Sequence, residues 1–549
     1  MKLLQLFFFS FFIVQCFGQL SSEELRGGNG EGRYWWNLEH YDLSVNFDIA
    51  NKQISGKNII TFRASKEISN PIFQLDLQEP MLLDSLVVIE KEMVVKQLIP
   101  SEFRKQNTYL IPLNDCIFKE ALQYRIIAFF HGSPRVAKNA PWDGGIIWKK
   151  DENKKDWVSI ACQGLGASVW FPCKDTQSDE PEQGVETHFT CPSDLVCVSN
   201  GRLTSTEKNE GNTTTYSWKV VNPINNYCII PYIGDYVSWK DPFQGEKGVL
   251  DVEYWVLRSN EEKAREQFKD VHLTLKAFEY WFGPYPFYED GYKLVESPYL
   301  GMEHQSAVAY GNNYKKGYLG SDLSGTGQGL WWDYIIVHET GHEWFGNNIT
   351  TADIADMWVH EGFTTYSETL FVEYHKGAKA GATYCRGERR SIVNDKPIIG
   401  PYGVNEEGSG DMYYKGANLI HTIRTLVNND TLFREMLREM NQTFYHQIVT
   451  TQQIENFMSQ KLKLDLSLIF DQYLRQTNPP TLAIKEKGSR VLYRWEKCIP
   501  NFEMPLVTDK GQFNVSTEWT ELPAEIGLSN NQYYFKSVQQ KRKKKRSKK

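Results

Sequence analysis

The chain has 549 residues, 41% of them hydrophobic and 14% aromatic, and a net charge of −7. That length suits about three domains, and that composition builds packed cores rather than a disordered chain. Lys2 and the eight basic residues of KRKKKRSKK carry +9, which leaves −16 on the rest, and an acidic body argues against nucleic acid as the main partner. In chain order, MKLLQLFFFSFFIVQCFGQ has one Lys, a short apolar core and small residues at Cys16 and Gly18. It reads as an export signal, residues 1–18, too short to span a membrane comfortably. No later apolar run is long enough to cross, so no transmembrane segment is expected in an exported protein, periplasmic or extracellular. Eight cysteines remain after cleavage, in a compartment that permits disulfides, and their pairing stays open.

Residues 19–240 read as a β domain. YDLSVNF alternates Tyr41, Leu43, Val45 and Phe47 on one face, and GKNIITF, FQLDL and YRIIAFFHG follow with turn residues between. Residues 241–476 change character. NEEKAREQFKDVHLTLKAFEYWF is helical by spacing and stops at Gly283-Pro284. A short β stretch, GYKLVESPYLGMEHQSAVAYG, precedes a glycine-rich loop. The GTGQG of that loop lacks both the preceding strand and the Lys-Ser/Thr of a phosphate loop. Helical segments then run to about Gln476. NPPTLAI marks a boundary, residues 477–538 read as a small β module, and 539–549 as a solvated basic tail.

Within VHETGHEWFGNN, His338 and His342 stand four apart, with Glu339 after the first. On a helix, positions i and i+4 share a face, so two ring nitrogens can meet at one point. This is H-E-x-x-H, in which both histidines bind zinc and the glutamate is a general base, although chance alone supplies it in roughly one of 70 such chains. Eighteen residues after His342 comes Glu361, and the carboxylate there lowers the chance expectation to about one in a thousand. Two His and one Glu leave a fourth zinc position for water, the catalytic arrangement rather than the closed structural one. Glu368 lies on the same helical face as Glu361, where orienting a zinc histidine and a plain surface ion pair both remain open.

His338-Glu339-x-x-His342, eighteen residues, then Glu361 resembles the aminopeptidase N family of zinc metallopeptidases, the gluzincins related to leukotriene hydrolase. GMEHQ at Gly301–Gln305 is similar to that family's G-x-M-E-N signature, MYYKGA to its Y-x-K-G segment, YDLSVNFDIANKQISG to the opening of its β domain, and Cys162-Gln163 with FPCKD to the substrate-facing edge of that domain. The resemblance covers nearly the whole mature chain. It implies an α+β multidomain fold: an N-terminal antiparallel β saddle, a thermolysin-like α/β catalytic domain and a small C-terminal β module. It further implies one zinc ion on His338, His342 and Glu361, with Glu339 and Tyr413 catalytic. Gln163, Gly301, Met302 and Glu303 would bind a peptide with a free N-terminus. Leu300 and His304 depart from the signature, and the large C-terminal helical domain of many relatives has no room here. A secreted zinc aminopeptidase is the expected activity. A zinc endopeptidase and a non-catalytic peptide-binding protein on the same scaffold are the alternatives.

Overall fold

The computed structural model describes residues 21–487, 490–523 and 533–539; the expected export signal and the basic tail from residue 540 lie outside them. Two hydrophobic cores organise these residues, one under the N-terminal strands and one running through the helices into the C-terminal strands. No helix among the described residues is long and apolar enough to cross a membrane.

The first core sits against an eight-stranded sheet. Its central strand, Trp36–Asp48, pairs antiparallel with Gln53–Ala64 and parallel with Val185–Pro192. Leu43, Val45 and Phe47 face inward at every second position, as a pleated strand requires. Leu38 and Tyr41 are three apart yet both buried, because a register shift between Leu38 and His40 inserts one residue and restores the alternation. A second sheet of four strands contains Asp156–Ala161, which delivers the chain to Gln163. The eight cysteines among the described residues are free thiols, seven of them buried.

The second core begins with a five-stranded sheet in which Val252–Leu257, Tyr292–Glu296 and Val308–Tyr310 run parallel. Gly301–Met302 closes one edge antiparallel, and Tyr236–Lys240 closes the other. By its pairing, Tyr236–Lys240 belongs to this sheet, a few residues before the division expected at 240. The one helix expected from NEEKAREQFKDVHLTLKAFEYWF is two, Glu261–Gln267 and Lys269–Phe282. They meet at Phe268, whose buried ring is pinned edge-on against Tyr310 at 4.9 Å, so packing overrides the helical propensity of the run.

The H-E-x-x-H helix is Tyr334–Gly341, with His342 as its C-terminal cap. Asp333 starts it, accepting from the Ile335 and Ile336 amides at 3.0 and 3.3 Å. This helix packs on Trp358–Lys376, which carries Glu361 and ends at Gly377 with φ +87°. Gly341 permits the approach, since a Cβ there would meet Ser367 Oγ at 2.6 Å. Further helices, Ala378–Glu388, Tyr414–Val427, Asp430–Thr443, Thr451–Leu462 and Ser467–Leu474, complete the domain. The C-terminal strands form a four-stranded sheet and a hairpin, Met504–Thr508 with Gly511–Val515, resting on Tyr414–Val427 through Gln512 Nε2 to Leu426 O at 2.9 Å.

Candidate metal centre and substrate cleft

His338 and His342 present their Nε2 atoms to one carboxylate oxygen, Glu361 Oε2, at 3.7 and 3.3 Å. The opposite ring nitrogens are committed. His342 Nδ1 donates to Phe345 O at 3.0 Å, and His338 Nδ1 donates to Glu368 Oε1 at 2.7 Å. A carbonyl and a carboxylate only accept, so each Nδ1 carries a proton, and the Nε2 of each neutral ring offers a lone pair. Two lone pairs and a buried carboxylate oxygen with no hydrogen-bond donor therefore converge on one point. A cation satisfies that arrangement, and an N₂O donor set with ligand atoms within 4.8 Å of one another suits zinc with one position left open. Glu368 is thus the orienting partner of His338 and not a surface charge. It is fully buried and also accepts from Tyr384 Oη at 2.6 Å.

Glu339 lies on the same helix with its carboxyl against the edge strand. A Cβ on Gly301 would stand 2.6 Å from Glu339 Oε1, which explains a glycine there and fixes how closely strand and helix approach. Burial pushes the Glu339 carboxyl up to about 7, opposed by His338 and helped by the charge of Glu303. A carboxylate poised there takes up and releases a proton near neutrality.

Glu303 follows the edge strand and is 2% exposed. Its Oε1 accepts from Gln163 Nε2 and from Tyr227 Oη, the latter at 3.0 Å. Its backbone oxygen accepts from Asn347 Nδ2 at 2.9 Å, and Glu343 Oε1 accepts from the Ser306 amide at 3.0 Å. The turn after the zinc helix therefore holds the Glu303 segment in place. Gly301 and Met302 pair with Tyr310 and Ala309 on one side. Both line the cleft, as Leu300 does. His304 turns the other way, with Nδ1 on Tyr232 Oη at 2.6 Å, and burial pushes it down to about 3, so it is a neutral core residue.

Tyr413 sits between the turn Gly410–Met412 and the helix Tyr414–Val427. Its ring stacks on His338 at 6.2 Å, and burial and then Glu361 push its hydroxyl well above the usual range, so it stays a neutral donor. Gly362 and Gly416 let the two helices touch, since a Cβ on Gly416 would stand 3.0 Å from Gly362 Cα. Lys415 anchors the same turn through the Gln476 and Thr477 oxygens at 3.0 and 2.9 Å. Tyr414 also lines the cleft.

All nine expected site residues border or enter one cleft of about 450 Å³, between the edge strand, the zinc helix and a loop of the N-terminal domain at Pro141 and Trp142. Sequence reasoning missed Tyr227, Asn347, Glu343 and Tyr384, and also Glu407, a further acid that lines the cleft. Of these, Glu343 carried a signal, as a further acid just past the zinc helix in a run otherwise bound for the core.

A zinc-type triad on two helices beside a mixed sheet, under a β domain, is the architecture of a zinc metallopeptidase. Residues 268–473 match the peptidase family M1 domain, and the chain carries that domain. It is homologous to leukotriene A-4 hydrolase of Xenopus laevis, with 21% identity over 77% of this chain and 68% of the relative. With aminopeptidase N of Lactobacillus helveticus it shares 22% identity over 90% of this chain and 60% of the relative. The M1 zinc metallopeptidase of Deinococcus radiodurans has the same fold, with a TM-score of 0.67, 19% identity, and 82% of this chain and 96% of that one covered. Against a probable aminopeptidase 1 of Sulfurisphaera tokodaii, the chain spans 44% of the relative's length.

Proposed function

We propose that this chain is an exported zinc aminopeptidase that hydrolyses the first peptide bond of substrates with a free N-terminus. The observation that carries the reading is Glu303: a buried carboxylate, held by Gln163 and Tyr227, on the edge strand beside the zinc helix. A carboxylate withdrawn from water is costly unless it meets a cation, and a peptide α-ammonium is the cation a peptidase cleft receives. Its place next to Glu339 sets the distance from amine to scissile carbonyl at one residue.

Zinc on His338, His342 and Glu361 would polarise the carbonyl and lower the pKa of a bound water to about 7. Glu339 takes a proton from the attacking water. Tyr413 Oη donates to the carbonyl oxygen as it gains charge. Water oxygen bonds to the carbonyl carbon, the carbon–nitrogen bond breaks, and the proton held by Glu339 passes to the departing amine. Glu303 keeps the N-terminus fixed throughout, so the geometry rather than the side chain selects the bond.

Paired substrates test this. An unblocked aminoacyl substrate is expected to be cut several orders of magnitude faster than its N-acetyl twin, and Glu303→Ala to lose most of that ratio through the unblocked member. Internal cleavage of blocked peptides at the rate of free ones would establish the endopeptidase reading instead, and tight binding of peptides without turnover the non-catalytic one. Export is checked by N-terminal sequencing of the secreted product, expected to begin at Gln19.

A further inference from the structure

We infer that Glu407 selects a cationic side chain on the N-terminal residue of the substrate, so that peptides beginning with Lys or Arg are preferred. The inference rests on the aminopeptidase reading above and names the substrate class of the same cleft.

Four carboxylates line that cleft, Glu303, Glu339, Glu361 and Glu407, and no Lys or Arg does. Three of them have a task in that reading, Glu361 on the metal, Glu303 on the α-ammonium and Glu339 as the base. The fourth, Glu407, has no assigned partner there. Its carboxylate has no hydrogen bond or ion pair among the described residues. The one bond to this residue runs from exposed Lys396 Nζ to the backbone oxygen, at 3.2 Å. Burial, and then the charges of Glu361 and Glu303, raise its carboxyl above the usual range, so the group is strained electrostatically by its setting.

Its position fits the first residue of a substrate. Glu407 Oε1 lies 3.6 Å from where a Cβ on Gly164 would be, beside the Gln163 that holds Glu303. It therefore stands on the amine side of the cleft, facing the same end of the substrate as Glu303. Two glycines, Gly164 and Gly408, flank it, so no side chain from either covers the carboxylate. The remaining wall, with Trp142, Leu300 and Tyr318, is apolar and aromatic. A Lys or Arg side chain matches both features, its aliphatic stem lying along the apolar wall and its head on the carboxylate.

The test is hydrolysis of Arg-, Lys-, Leu- and norleucine-aminomethylcoumarin by the zinc-loaded full-length protein. Norleucine matches the length of lysine without its charge. Wild type is expected to favour Lys over norleucine in kcat/KM by about tenfold or more, the range of one charge-assisted contact. Glu407→Gln is expected to cut that ratio by about tenfold, chiefly through KM, and Glu407→Lys to reverse it. An unchanged Lys-to-norleucine ratio in Glu407→Gln, or a wild-type preference for norleucine, overturns the inference and leaves the aminopeptidase reading standing. A wild type inert toward all four substrates, with zinc bound, overturns both.

Discussion

The two sides of the cleft are built differently. The metal side comes from two helices packed within one core, and its three ligands lie within 24 residues of one another. The amine side is assembled from Gln163 of the N-terminal domain, Tyr227, Glu303 of the edge strand and Glu407 of a loop, brought together only when the domains dock. The metal triad therefore depends on local geometry, and the proposed reading of the substrate on tertiary placement. Substitutions on the metal side are expected to abolish chemistry, and those on the amine side to change which substrate is taken.

The largest effect belongs to the ligands. His338→Ala and Glu361→Ala are expected to lose bound zinc and all measurable turnover, read by elemental analysis and by aminoacyl-coumarin assay. A zinc-free His338→Ala with full activity would break the metal side of the comparison. Glu339→Gln comes next, with zinc retained and kcat lower by about 10²–10⁴, because only the proton carrier is gone. Tyr413→Phe is expected to cost about 10²–10³ in kcat, the worth of one donor to a developing oxyanion. Tyr414→Phe tests the register of that turn, and damage from it without damage from Tyr413→Phe would move the oxyanion contact to Tyr414. The smallest effect is Glu368→Gln, where zinc affinity is expected to fall by about 10–100-fold at near-normal kcat under saturating zinc, measured by competition with a chelator. Loss of affinity equal to that of His338→Ala would show that Glu368 does more than orient the ring.

The same division explains what was legible in the sequence. His338 and His342 follow from helical spacing, because side chains four apart on one helix cannot avoid sharing a face, while Glu339 follows from the H-E-x-x-H motif and Glu361 from its place eighteen residues after His342. Glu368, seven residues past Glu361, falls on the right face by spacing, yet its partner cannot be chosen without knowing that His338 Nδ1 lies 2.7 Å away. Glu303 and Gln163 are reached through resemblance alone, since nothing local ties residue 163 to residue 303. Tyr227 and Glu407 have no local pattern at all. A tyrosine in NYC and a glutamate in NEEGSG look like any loop residues until the fold brings them to the cleft. The break at Phe268 is invisible for a related reason, as a continuous helical pattern hides a ring that tertiary packing will claim.

The catalytic sheet divides its strands between the two cores: Leu294, Val308 and Tyr310 face the helices, whereas Val295, Tyr299, Met302, Ala307 and Ala309 pack with the N-terminal strands. The edge strand Gly301–Met302 is therefore glued from behind by the β domain. A gene fragment encoding only the zinc-bearing half would put that apolar rear face in water, and its product would precipitate rather than digest peptides. The two halves form one transplantable unit, and a swap of specificity between relatives has to carry both.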